Sequence, residues 1–279
     1  MKHLVFALLL IIQTIARAEV QQVEVDGVNL EYEISGSGDR TVLLEAGGFG
    51  GVTDWDDVFD AYAKHAKVVR YSRVGHLNSE KTGKQYTALQ FAVMANGLLE
   101  ALRIQGKITL VGASYGGRVA KFFAAKYPEK VEAILLLDPS HHLDVAIMRD
   151  IDLALANSQI ARIKASDYET VGHWPGLDDA WSKTPAPGAE EIPDVPVTVV
   201  VSIRRHNNPK HLLETDPGRI GWAKVHADWV DDFPQGRLVL TDEVYHYMQA
   251  DSPEFMVQQF VDFMARRLGQ PSKCNGPDP

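Results

Sequence analysis

Three residues set far apart along this chain, Ser114, Asp138 and His246, are of the types that together perform acyl transfer. A serine hydroxyl is a weak nucleophile at its own pKa. It needs a base within hydrogen-bond reach and a third group that holds the base in the right tautomer. Ser114 stands in Gly112-Ala-Ser-Tyr-Gly116, a G-x-S-x-G pattern. In such a pattern the serine sits on a sharp strand-to-helix corner, with its hydroxyl above the end of a parallel sheet. The flanks fit: an apolar run, Ile108 to Val111, comes before, and Val119, Phe122, Phe123 and Tyr127 recur at helical spacing after it. Gly112 and Gly116 are the small residues that a close strand–helix approach requires.

His246 follows the last expected strand, Arg237 to Thr241, and is read as the base. In such sheets the chain order is serine, acid, histidine, each on a loop after a strand. The acid is less direct. The loop after the strand Val195 to Ser202 reads Ile203-Arg-Arg-His-Asn-Asn208 and holds no carboxylate. Asp138, ending the apolar run Val131 to Leu137, falls on the carboxyl edge where such sites collect and is preferred. Glu214 and Asp216 are the alternatives, while Asp251 is assigned to the start of the closing helix.

A second glycine-rich stretch, Glu45-Ala-Gly-Gly-Phe-Gly-Gly51, follows the buried-strand run Thr41 to Leu44. It reads as a dinucleotide loop, as a loop presenting backbone N–H groups to an oxyanion, or as a flexible turn. Thr53 occupies the position of the third glycine that a dinucleotide loop needs. The oxyanion reading agrees best with Ser114 and His246.

The elements that position these groups alternate. Val23 to Val25 and Leu30 to Ile34 flank Asp26-Gly27 as a hairpin. A helix is expected over Trp55 to Lys64, with Trp55, Val58, Phe59 and Tyr62 on one face. The next strand is Lys67 to Tyr71, followed by a loop from Ser72 to Ser79. Thr87 to Leu102 reads as a helix with Leu89, Val93, Leu98 and Leu102 on its apolar side. From Ser140 to about Glu191 the pattern changes: one amphipathic helix, roughly Asp144 to Ile163, precedes a stretch rich in Trp, Pro and Gly. This reads as an insertion over the sheet edge. A helix around Trp222 to Asp232 and a closing helix from Pro253 to Leu268 complete the chain. Strands separated by helices throughout imply an α/β fold, a mostly parallel sheet with helices on both faces.

Residues 1–18 read as a secretory signal: Lys2 and His3, an apolar core from Leu4 to Ile12, then Ala16-Arg-Ala18 before Glu19. Export to a periplasm or beyond is expected, leaving residues 19–279 as a single domain without membrane insertion. A net charge of -9 argues against nucleic acid or an anionic membrane as the main partner. The lone Cys274 has no internal disulfide partner. His141, His142 and Asp144 do not read as a metal site, since adjacent histidines do not easily present on one face and no further ligand is suitably spaced. Arg73, Trp174 and Trp181 are candidate pocket residues, and Arg204-Arg205-His206 reads as a solvated basic loop.

Taken together, LLEAGGFGG, YSRVGHLNS, LVGASYGG, LLLDPSHH and YHYMQADSPE resemble the α/β-hydrolase superfamily over nearly all the mature chain. The resemblance implies Ser114 as nucleophile, His246 as base and the backbone N–H of Tyr115 as one oxyanion donor. Gly48 or Phe49 would supply the second donor. It also supports Asp138, because some members carry the acid after the strand that follows the elbow helix. The chain departs from the pattern in three places: Ala46-Gly47 stands for the usual His-Gly, Ser72 for the Asp of Y-D-R-x-G, and the carboxylate after Ser202 is missing. The expected activity is hydrolysis of a carboxylic ester, lactone or thioester, a small-molecule acyl substrate, without metal or organic cofactor. The rival readings are a binding protein on the same fold and cofactor-free C–C hydrolysis or perhydrolysis.

Overall fold

Apolar runs too uniform to leave one face wet form the middle of the sheet, and the computed structural model covers them on both sides. It describes residues 20–170, 176, 179, 181 and 184–266. The expected signal, Trp174, Leu268 and Cys274 lie outside them. The strands are β1 (Gln21–Val25), β2 (Val28–Ser35), β3 (Thr41–Glu45), β4 (Lys67–Tyr71), β5 (Ile108–Ala113), β6 (Val131–Leu137), β7 (Val197–Ser202) and β8 (Gly236–Thr241). Their order in the sheet is β1-β2-β4-β3-β5-β6-β7-β8. The pairs from β4 to β8 are parallel, and β1 and β2 are antiparallel at one edge. Asp26 and Gly27 both take positive φ, 51° and 77°, as a two-residue hairpin of matching twist requires.

The helices are α1 (Phe59–Tyr62), α2 (Ala88–Ala101), α3 (Tyr115–Lys126), α4 (Asp144–Ile151), α5 (Leu153–Thr170), α6 (Asp216–Asp231), α7 (Met248–Asp251) and α8 (Pro253–Arg266). One core layer joins α2, α3 and α6 to the sheet through Phe91, Leu98, Val119, Phe123 and Trp222. The other seats Trp55, Phe59, Tyr62, Phe260 and Phe263 on the opposite face. Among the described residues no helix is long and apolar enough to cross a membrane.

Several expected elements differ in detail. The helix foreseen over Trp55 to Lys64 is a 3-10 turn, Val52–Trp55, followed by the short α1, although its four apolar residues are all buried. On α2 the buried stripe is Ala88, Phe91, Ala92, Ala95, Leu98 and Leu99, whereas Leu89 and Val93 point outward at 41% and 36% exposure. Three alanines share that stripe with Phe91, Leu98 and Leu99 where α2 packs on α3 and β1, so a pattern of large apolar residues alone does not mark the face. The single helix expected from Asp144 is two, α4 and α5. The backbone is extended at Asp152, whose carboxylate takes the N–H of Leu155 at 2.9 Å and so caps the second helix. The helix expected around Trp222 starts earlier, at Asp216, with Thr215 as its cap and Pro217 in its first turn.

Two glycines bring three loops together at the carboxyl edge of the sheet. A Cβ on Gly116 would lie 2.1 Å from the carbonyl oxygen of Glu45 and 2.4 Å from that of Ala46, so the elbow touches the loop after β3. A Cβ on Gly117 would lie 2.4 Å from Cβ of Pro139, which brings the loop after β6 equally near. Ser114 N–H donates to Leu137 at 3.0 Å, and Ser140 N–H donates to Ser114 at 2.9 Å.

Candidate active site

Ser114 stands between β5 and α3 with φ 50° and ψ -120°. A non-glycine residue there is strained by about 1–3 kcal/mol, and the strain persists because the glycine contacts and the two backbone hydrogen bonds over-determine it. Asp138 is likewise at positive φ, 42°, just past β6. His246 lies in the loop between β8 and α7. The structure brings these three together: Ser114 Oγ lies 2.9 Å from His246 Nε2, and His246 Nδ1 lies 2.6 Å from Asp138 Oδ2. An ionised carboxylate only accepts, so Nδ1 carries the proton and Nε2 is left to accept from the serine.

Asp138 is fully buried and has three donors: His246 Nδ1, Ser202 N–H at 3.0 Å, and Arg219 Nη2 at 2.8 Å to one oxygen and 3.0 Å to the other. Burial pushes its pKa up, but Arg219 and His246 outweigh burial and hold it below the ordinary Asp value. Sequence reasoning missed Arg219. Arg219, Trp222 and His226 recur at helical spacing and form the inner face of α6, but that spacing does not pair Arg219 with Asp138. Trp222 stands edge-on to His246 at 6.0 Å, and His226 edge-on to His141 at 5.5 Å. Ser202, which ends β7 just before the loop that lacks a carboxylate, ties the neighbouring segments together. Its hydroxyl donates to Val244 at 2.6 Å, and its carbonyl accepts from Arg219 Nε at 2.8 Å.

Replacing Arg219 by methionine is expected to cost about 3–5 kcal/mol at pH 7, the scale for removing one partner of a buried ion pair. Sign and window follow from the depressed Asp138 pKa. The stabilisation is full above the unfolded Asp value of about 4 and fades as pH falls through the lower folded value. Urea midpoints of parent and Arg219→Met should therefore differ most near neutrality and converge in acid. A gap that does not change with pH would contradict this role.

The loop after β3 is braced from below. Gly47 N–H donates to Asp54 at 3.0 Å, and Arg73 donates to the carbonyl of Ala46 at 2.8 Å and to that of Gly47. Arg73, expected as a pocket residue, is fully buried instead. Its guanidinium lies 3.6 Å from Glu45, whose carboxyl also accepts from Tyr71 at 2.7 Å. Burial pushes Glu45 up to about 7 against the pull of Arg73. Gly48 is left at the cavity wall with an N–H that makes no hydrogen bond among the described residues. Phe49, half exposed, forms part of the same wall. Tyr115 opens α3, so its N–H belongs to the helix N-terminus beside Ser114. Its side chain points away and donates to Asp179 at 3.0 Å, which also takes Arg118 Nε at 3.0 Å and Ala88 N–H at 3.1 Å.

Ser114 and His246 open onto a cavity of about 360 Å³, walled also by the Gly47–Gly50 loop, Asp54, Asp144, Ile163 and Trp181. Burial pushes the Asp144 carboxyl up to about 8, against the N–H of His141 and the charge of Lys121. His141 stacks on His142 at 4.3 Å. Among the described residues no three His, Cys, Asp or Glu side chains are grouped to hold an ion. The alternatives for the acid lie elsewhere. Asp216 pairs with the exposed Arg205 at 3.4 Å, Glu214 takes the backbone N–H of His211 at 3.3 Å, and Asp251, at the end of α7, takes that of Tyr245 at 2.7 Å. In the basic loop Arg204 lies 4.0 Å over the ring of Tyr245.

A strained serine after the central strand and sheet-edge loops carrying an imidazole and a carboxylate are the layout that the motifs anticipated. The model of the alpha/beta hydrolase fold family matches residues 40–171. The enol-lactonase from Burkholderia xenovorans superimposes with a TM-score of 0.62, covering 88% of this chain and 100% of that one at 20% identity. The chain has the α/β-hydrolase fold. The resemblance carried by the motifs is thereby borne out. Among curated relatives, the 2-hydroxy-6-oxo-6-(2'-aminophenyl)hexa-2,4-dienoic acid hydrolase of Metapseudomonas resinovorans is 28% identical over 131 residues, 46% of this chain and 45% of that protein. The human serine hydrolase BPHL is 34% identical over 120 residues, 41% of each. The chain thus spans half or less of the length of the curated relatives that it matches.

Proposed function

We propose that this α/β hydrolase is a serine hydrolase of carboxylic esters or related acyl compounds such as lactones and thioesters. The observation that carries the reading is the continuous relay from Ser114 Oγ through His246 to the buried carboxylate of Asp138, with contacts of 2.9 and 2.6 Å. As Ser114 attacks the acyl carbon, its proton passes to His246 Nε2, and Asp138 stabilises the imidazolium. The N–H groups of Tyr115 and Gly48 or Phe49 hold the oxyanion, and their hydrogen bonds strengthen as charge develops. His246 then returns the proton to the departing oxygen as the C–O bond breaks. In the second half His246 takes a proton from water, hydroxide adds to the acyl carbon, and the acid leaves with Ser114 reprotonated. We further propose, from residues 1–18, that the enzyme works outside the cytoplasm, with residues 140–191 acting as a cap over the site.

Similarity to the dienoic acid hydrolase favours a second reading, hydrolysis of a C–C bond next to a carbonyl. The charge of the cavity favours the first. Its described wall carries neither Lys nor Arg to pair with an anionic acid, and burial favours the neutral form of the Asp144 carboxyl, which suits a neutral acyl group better. The test is a comparison of 4-nitrophenyl esters of graded chain length with a 2-hydroxy-6-oxo-dienoate. Ester turnover exceeding dienoate turnover at least ten-fold in kcat/KM is the expected result. The reverse order would transfer the assignment to C–C hydrolysis.

A further inference from the structure

His246 borders two cavities. The first, described above, contains Ser114 and the glycine loop. The second, of about 280 Å³, contains neither; its wall includes His206, Leu213, Trp222, Tyr245 and Tyr247 together with His246. The two share only His246 and Tyr247. We infer that the second cavity receives the leaving-group half of the substrate, and that this half is a neutral aromatic alcohol or thiol. The inference rests on the acyl-transfer reading.

The argument is one of reach. In the tetrahedral intermediate the acyl chain and the oxyanion must lie beside Ser114 and the N–H donors, so they occupy the first cavity. The leaving oxygen must instead lie beside the imidazolium, because the C–O bond breaks as Nε2 returns its proton to that oxygen. The fragment attached to it therefore extends to the side where histidine, but not serine, forms the wall.

The chemical class follows from the wall. Two charged side chains border the second cavity, and both are engaged: Arg219 on Asp138 and the carbonyl of Ser202, Glu214 on the backbone of Lys210 and His211. Rings and an aliphatic side chain remain. His206 packs on Tyr245 at 4.4 Å, Trp222 stands edge-on to His246 at 6.0 Å, and Tyr247 meets the same imidazole edge-on at 5.3 Å. Such a surface recognises a flat apolar ring by stacking and edge contacts.

The test holds the acyl group fixed. Phenyl acetate and 2-naphthyl acetate form the same acetyl-enzyme and have leaving groups of similar acidity, so they differ mainly in ring area. The wild type is expected to favour the naphthyl ester in kcat/KM by about three- to ten-fold, the range for one aromatic contact. His206→Ala and Tyr245→Ala should bring that ratio close to one. Deacylation of the common acetyl-enzyme should stay unchanged, because the leaving group has already departed. His206 stands in an exposed loop and gives a folded variant even if loss of the Tyr245 ring disturbs its neighbour His246. A ratio unmoved in both variants, or a change in acyl-chain preference instead, would overturn the inference while leaving ester hydrolysis intact. Failure of the wild type to cleave either acetate would strike at the acyl-transfer reading itself, and this inference would fall with it.

Discussion

Ser114→Ala should lower kcat for the best ester substrate by about 10⁶-fold, the loss found when the nucleophile of an interdependent triad is removed. In the proposed mechanism the rate passes through the acyl-enzyme, and among the described residues no hydroxyl other than that of Ser114 is hydrogen-bonded to His246. Ser140 also lines the cavity, but its N–H is bound to the carbonyl of Ser114 and its side chain has no contact with His246. The substitution is mild for the fold. Alanine keeps the Cβ at the strained corner, and the backbone bonds from Ser114 to Leu137 and from Ser140 to Ser114 do not involve the hydroxyl. Steady-state kinetics beside a thermal melt check this: activity should vanish while the melting temperature stays within a few degrees. Residual turnover above a hundredth of the wild-type rate would mean that another group attacks.

Asp138→Asn should reduce kcat by about 10⁴-fold, because it leaves the shape of the site but reverses one hydrogen bond. Asparagine turns an NH₂ or a carbonyl toward His246 Nδ1. With the NH₂ there, the ring proton moves to Nε2, and histidine can no longer accept from Ser114. With the carbonyl there, the tautomer survives but the imidazolium has lost its anion. Arg219, 6% exposed, is meanwhile left facing a neutral partner, so stability should fall as well. Asp216→Asn is the control. It breaks only a surface pair with Arg205 and should change kcat less than two-fold. The opposite ranking of the two variants would move the acid to Asp216. Since Arg219 and His246 hold the Asp138 pKa below its ordinary range, the wild-type carboxylate stays charged down to about pH 4.

What was legible in the sequence was whatever local chemistry dictates. The elbow could be read because a serine between glycines, after an apolar strand and before a helix, has few physical explanations. His246 followed from its place after the last strand, and Asp138 from its place on the carboxyl edge. Arg219 was not legible, because its role depends on α6 crossing behind the loop after β7, a tertiary fact that local spacing does not encode. Arg73 was misplaced for a related reason. A loop arginine reads as a solvent or pocket group, yet here it is buried as the brace of a glycine loop whose own side chains offer nothing to hold. The outward turn of Leu89 and Val93 shows the same limit: half of the apolar residues that α2 buries are alanines, which a pattern of large apolar side chains does not mark. The division of labour between the two cavities around His246 likewise belongs to the assembled fold.

Intact-mass analysis after treatment with a fluorophosphonate tests the central claim most directly. Such a probe modifies a serine only where base and oxyanion donors already surround its hydroxyl. The wild type should gain one phosphonyl adduct, located on the peptide that contains Ser114, Asp138→Asn should gain it far more slowly, and Ser114→Ala should gain none. Folded wild-type protein that remains unmodified, or that carries the adduct on another residue, would contradict the account.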